Sequence, residues 1–117
     1  MYFRNSFIHP TVIFRMDTVA KLGLYPFDYP HAEDYALFWK IINVAPTAIL
    51  PAYLVVCELN EVGISSANRI KQLQSRMVIV RKFGHTFMLR ALGVLKIRIL
   101  MKMPHSFVEN VKKLMSF

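Results

Sequence analysis

The sequence predicts an α/β chain: mixed helix and short strands over residues 1–66, then a basic helical tail over residues 67–117. Three observations lead there. Short β-branched and aromatic runs lie between prolines and polar residues in the first part. One strongly apolar helix opens on two carboxylates. Charge then divides unevenly: residues 1–66 hold four Lys and Arg against six Asp and Glu, whereas residues 67–117 hold eleven against one, so the net +8 splits into −2 and +10. At 117 residues and 55% apolar, the chain has enough material for one compact core. Its single cysteine, Cys57, excludes a disulfide framework and any multi-cysteine zinc module.

The elements follow in order. Thr11-Val12-Ile13-Phe14, bounded by Pro10 and Arg15, predicts a short strand. Asp17 is placed to cap a helix carrying Met16, Val19, Ala20 and Leu22, and Gly23 stands where a left-handed C-terminal residue is wanted. Tyr25 to Pro30 reads as an irregular loop. A helix is expected from Ala32 to about Val44, with Glu33 and Asp34 in the first turn, where the positive end of the helix dipole favours carboxylates. Ala36, Lys40 and Asn43 form its expected solvent stripe. Ala48–Leu50 and Tyr53–Leu59 read as strands and Asn60–Gly63 as a turn. Beyond them, Ser66 is placed to cap a helix with Ile70, Leu73, Met77 and Val80 at helical spacing, which Gly84 ends. A further helix spans roughly Thr86 to Met103. Pro104 opens a last one, with Phe107, Val108, Val111, Leu114 and Met115 expected to face inward.

No apolar run of signal-peptide length precedes Arg15, because Arg4, His9 and Pro10 interrupt it. Pro46 and Pro51 divide the uncharged stretch from Ile41 to Cys57, and four cations interrupt Leu89 to Met103, so neither reads as a membrane span. The expected location is cytoplasmic, and the basic tail has two readings: peripheral attachment to the inner face of the plasma membrane, or ordinary helices packed on the domain with solvated lysines. Ten net positive charges on helices with long aliphatic faces suit an anionic surface, although Arg90, Lys96, Arg98 and Lys102 do not share one stripe.

The densest candidate site is His31-Ala32-Glu33-Asp34-Tyr35, where a loop hands two carboxylates to a buried, aromatic-rich helix. A rigidly held carboxylate is what a general base requires. The plainer reading is that Glu33 and Asp34 only cap and charge-match the helix. His31-x-Glu33 has the look of a zinc-deaminase signature, but the paired cysteines such a site needs are absent. Cys57, within Leu54-Val55-Val56-Cys57, reads as a small buried hydrophobe rather than a nucleophile. The glycines are isolated, which leaves no glycine-rich phosphate cradle.

The order of these pieces carries a resemblance. Asn5-Ser6-Phe7-Ile8-His9-Pro10-Thr11-Val12-Ile13-Phe14-Arg15, then Lys21-Leu22-Gly23-Leu24-Tyr25, then Ala32-Glu33-Asp34-Tyr35-Ala36-Leu37-Phe38-Trp39, resembles the later half of the family 2 glycosyltransferases. Leu54, Gly63-Ile64-Ser65-Ser66 and Gln72 extend the likeness to about Gln74. The resemblance implies the acceptor-side half of a GT-A type, Rossmann-like enzyme that moves a sugar from a nucleotide-sugar donor to an acceptor hydroxyl with inversion. It implies Asp34 as general base, Glu33 as its orienting neighbour, and His9, Arg15 and Trp39 as packing or acceptor-side support.

The family's nucleotide-binding strands and its DXD metal motif have no counterpart here. The resemblance therefore implies a fragment or one piece of a split gene, without cofactor or metal of its own and inactive alone. A nucleotide sugar with Mg or Mn would be held by a separate donor-binding half. The acceptor would be a glycan or glycolipid of bacterial cell-surface polysaccharide synthesis. Glu58, where many relatives carry a YR pair, and the missing QxxRW pattern argue against a processive product. The competing reading is a small basic nucleic-acid-binding or non-catalytic interaction module. An isoelectric point near 9.9 permits it, but the basic part has only Phe among aromatics, which leaves no evident stacking platform.

Overall fold

The computed structural model describes residues 1–56 and 67–115. Every regular element among them is helical. After a single 3-10 turn at His9–Thr11 come α1 (Met16–Lys21), α2 (Glu33–Ile42), α3 (Arg69–Phe83), α4 (Phe87–Lys102) and α5 (His105–Met115). The chain is thus a small helical bundle, and the α/β expectation, with its incomplete GT-A, Rossmann-like half-domain and short strands, is overturned.

The reason lies in what a strand needs. Val12 is extended, at φ −92 and ψ 143, so the local preference of the Thr11–Phe14 run is partly obeyed. Thr11 itself is taken into the 3-10 turn, its hydroxyl donating to the Ile8 carbonyl at 2.8 Å. An extended segment becomes a strand only when a second backbone pairs with it, and none does among the described residues. Ile13 stands 98% exposed as a result. The same holds for Ala48–Leu50 and for residues 53–56, where Val56 is fully exposed. Cys57 to Leu59, the Asn60–Gly63 turn, the Gly63–Ser66 segment and the Ser66 cap lie outside the described residues.

The helices keep close to their expected bounds. α1 starts one residue before Asp17, whose Oδ1 accepts the Thr18 N–H at 2.9 Å from within the first turn rather than from the cap. Gly23 takes φ +82 just past its end, the left-handed exit that only glycine makes without strain. α2 packs against both α1 and α3, and α4 packs against α3. Tyr35, Ala36, Leu37, Phe38 and Trp39 are all buried. The expected solvent stripe therefore fails at Ala36, which is wholly inaccessible, and at Lys40, whose ammonium donates to the Leu22 carbonyl at 3.1 Å. Asn43 at the end of the expected stripe is exposed, and Lys40 is half-buried.

One core joins the two parts of the chain: Tyr29, Ala32, Tyr35, Ala36 and Trp39 pack with Leu73, Ile79, Val80, Val94 and Ile97. The first residues seal it. The Tyr35 hydroxyl donates to the Met1 carbonyl at 2.6 Å, and the Tyr2 ring meets Trp39 edge-on at 5.0 Å. Gly93 on α4 admits this segment, since a Cβ there would lie 2.8 Å from the Tyr2 carbonyl oxygen. Gly93→Ala must push backbone, not a flexible side chain, and is expected to destabilise by about 1–3 kcal/mol, read as a lower midpoint of thermal unfolding. At the other end, α5 departs from expectation: Phe107, Val111 and Leu114 are exposed rather than turned inward.

Candidate functional site

α2 begins in a loop that α3 grips from the opposite side. Ser75 Oγ donates to the Pro30 carbonyl at 2.9 Å, and Gln72 Nε2 donates to the His31 carbonyl at 3.0 Å. The His31 N–H in turn donates to Glu33 Oε1 at 3.1 Å. His31 itself sits at φ 62, a left-handed conformation that costs a non-glycine residue about 1–2 kcal/mol. These hydrogen bonds hold it there and set the entry angle of α2.

Glu33 is thereby committed to its own loop. Asp34, the second residue of α2, is half-exposed, and among the described residues no donor or cation engages its carboxylate.

One helical turn further along the same face stands Phe38, and His9 is brought to it. The two rings lie 6.3 Å apart, and His9 Nε2 shares a 2.8 Å hydrogen bond with the Tyr25 hydroxyl while the rings meet edge-on. His9 is exposed, and Phe7 completes the aromatic patch against Phe38 at 5.5 Å. Arg15 is not drawn in. Its side chain is largely exposed and makes only a loose ion pair with Asp17 at 3.9 Å. Trp39 is 2% exposed, so any effect it has on the site acts through packing.

Two partners escaped the sequence reading. Tyr25 was visible only as part of a G-x-Y motif, and its hydroxyl turns out to orient His9. Ser75 carried no signal, because its role depends on α3 lying across the Pro30–His31 loop. Ser75→Ala or Gln72→Ala is expected to cost about 0.5–1.5 kcal/mol each. The more telling readout is faster amide hydrogen exchange at Glu33 and Asp34, the residues whose approach those bonds hold.

No group of three or more His, Cys, Asp or Glu among the described residues is placed to hold a metal ion. Two clefts lie elsewhere. One of about 300 Å³ runs between α3 and α4 past Arg81, Arg90 and Arg98; another of about 470 Å³ lies at the start of α3 between Ala67 and His105. Neither is lined by Glu33 or Asp34. Among the described residues no helix is long and apolar enough to cross a membrane.

Fold and site together define a class: a small helical bundle in which a clamped loop leads into α2, with Glu33 and Asp34 in its first turn. No family model, no curated protein and no solved structure matches the chain.

Proposed function

We propose that this chain supplies the acceptor side of an inverting sugar transfer, with Asp34 as the general base, at the cytoplasmic face of the membrane on an acceptor glycan or glycolipid. Asp34 takes the proton of the acceptor hydroxyl as that oxygen forms its bond to the anomeric carbon of a nucleotide sugar. The bond from that carbon to the diphosphate breaks on the opposite face, and the nucleotide leaves with the electron pair. Glu33 keeps the loop in place, and the His9–Tyr25 pair lines the approach one turn away.

The observation that carries this reading is the open Asp34 carboxylate beside a tethered Glu33, within the Ala-Glu-Asp-Tyr block whose order and spacing resemble the family 2 enzymes. On the resemblance, whose nucleotide-binding strands and DXD motif have no counterpart in the sequence, the nucleotide sugar and its metal are assigned to a separate donor-binding polypeptide or segment. The test is transfer of a labelled sugar by the chain combined with such a segment, compared for the native chain and Asp34→Asn. Robust transfer by the purified chain with no partner overturns the division of labour. Undiminished transfer by Asp34→Asn overturns the base.

A further inference from the structure

The geometry points to the α3–α4 groove and the outer ridge of α4 as a docking site for an anionic phospholipid surface. This names the device behind the membrane attachment proposed above and rests on that reading.

Scattered cations on α4 hide a simple pattern that burial reveals. Gly93, Val94 and Ile97 turn inward, which leaves Met88, Leu92, Leu95 and Ile99, spaced four, three and four residues apart, as one exposed apolar ridge. Arg98 and Lys102 flank the ridge on one side; on the other, Lys96 is turned to the N-terminal segment, its ammonium donating to the Phe3 carbonyl at 3.0 Å. Long cationic side chains beside an apolar stripe are the arrangement of a helix lying in a lipid interface, the aliphatic stems reaching up to the phosphates.

Beside the ridge, Arg81 from α3 faces Arg90 and Arg98 of α4 across a groove of about 300 Å³ floored by Phe87, Val94 and Leu95. The Arg90 guanidinium stacks 5.6 Å over the Phe87 ring. Among the described residues no carboxylate pairs with any of the three. Arg90 and Arg98 stand two turns apart, about 12 Å along the axis, a span suited to neighbouring headgroups rather than one free phosphate. The apolar floor and ridge suit acyl chains and disfavour nucleic acid. A second copy of the same face would bring like charges together.

The test is sedimentation of the full chain with vesicles of phosphatidylglycerol and phosphatidylcholine, against phosphatidylcholine alone. The native chain is expected to bind the anionic vesicles selectively, and Arg81→Ala/Arg90→Ala/Arg98→Ala to weaken binding about 100-fold, near fivefold per cation. Replacing the three by lysine restores most of it. The charge-matched Arg4→Ala/Lys21→Ala/Lys71→Ala, at exposed positions away from the groove, is expected to change binding several-fold at most.

Equal loss in the two alanine triples would show diffuse attraction and overturn the groove. Binding that survives the groove triple but is lost in Leu92→Gln/Ile99→Gln would leave membrane attachment standing and remove the arginines from it. Absence of selective binding by the native chain would end both. Displacement from vesicles by millimolar inorganic phosphate, or by duplex DNA more effectively than by excess anionic lipid, would assign the groove to that ligand instead.

Discussion

Asp34→Asn is expected to lower sugar transfer by about 10²–10⁴-fold, the usual contribution of a positioned general base. The amide keeps the size of the side chain and its place in the first turn of α2, but cannot accept the acceptor proton. Glu33→Gln is expected to fall well short of that. Its oxygen can still accept the His31 N–H at the same position, so the loop geometry survives while the charge is lost. The contrast between the two substitutions separates proton chemistry from helix capping. If both carboxylates only cap and charge-match the helix, the two variants should lose similar stability and similar activity. If Asp34 is the base, its loss appears in kcat with unfolding hardly changed.

The second large effect concerns Trp39. Trp39→Ala is expected to destabilise by about 3–5 kcal/mol, a large share of the roughly 5–15 kcal/mol that holds a domain of this size. The indole is buried against Tyr2 at 5.0 Å and Tyr35 at 6.4 Å, both edge-on, and its removal leaves a hole where three segments of chain meet. Trp39→Phe is expected to cost much less. Among the described residues the buried indole Nε1 has no hydrogen-bond partner, so losing the N–H removes an unsatisfied donor while a ring of similar shape remains. Chemical denaturation of the two variants checks this. A Phe variant as unstable as the Ala variant would mean that the full indole, not a single aromatic ring, is what the core requires.

Helix ends were legible in the sequence and strands were not, and the difference is physical. Gly23, Gly84, Pro104 and the Glu33-Asp34 start act within a turn of themselves, so a local reading places them: α1 ends at Lys21, α3 at Phe83, α5 begins at His105, and α2 at Glu33. The Thr11–Phe14, Ala48–Leu50 and Tyr53–Val56 runs have strand-forming side chains, yet a strand is completed by a partner elsewhere, and among the described residues none pairs with them, so most of their side chains stay exposed. Ala36 erred for a related reason. A small side chain on an apolar helix reads as solvent-tolerant, but it also lets a neighbouring helix come close.

The candidate site divides the same way. Glu33 and Asp34 were found from their position at the start of an apolar helix, a purely local signal. That Glu33 is tethered and Asp34 open, that Ser75 and Gln72 brace the loop, and that His9 pairs with Tyr25 all depend on contacts across tens of residues.

By itself, then, the sequence determined the helical segments, their charge partition and the acidic start of α2, because periodicity, capping and composition are short-range quantities. Only the tertiary structure decided that the described residues form a helical bundle with no strand among them, and that Trp39 and Ala36 are buried in it. It also decided that the cations of α4 flank an apolar ridge. Burial is a property of what packs against a residue, and no local pattern specifies the partner.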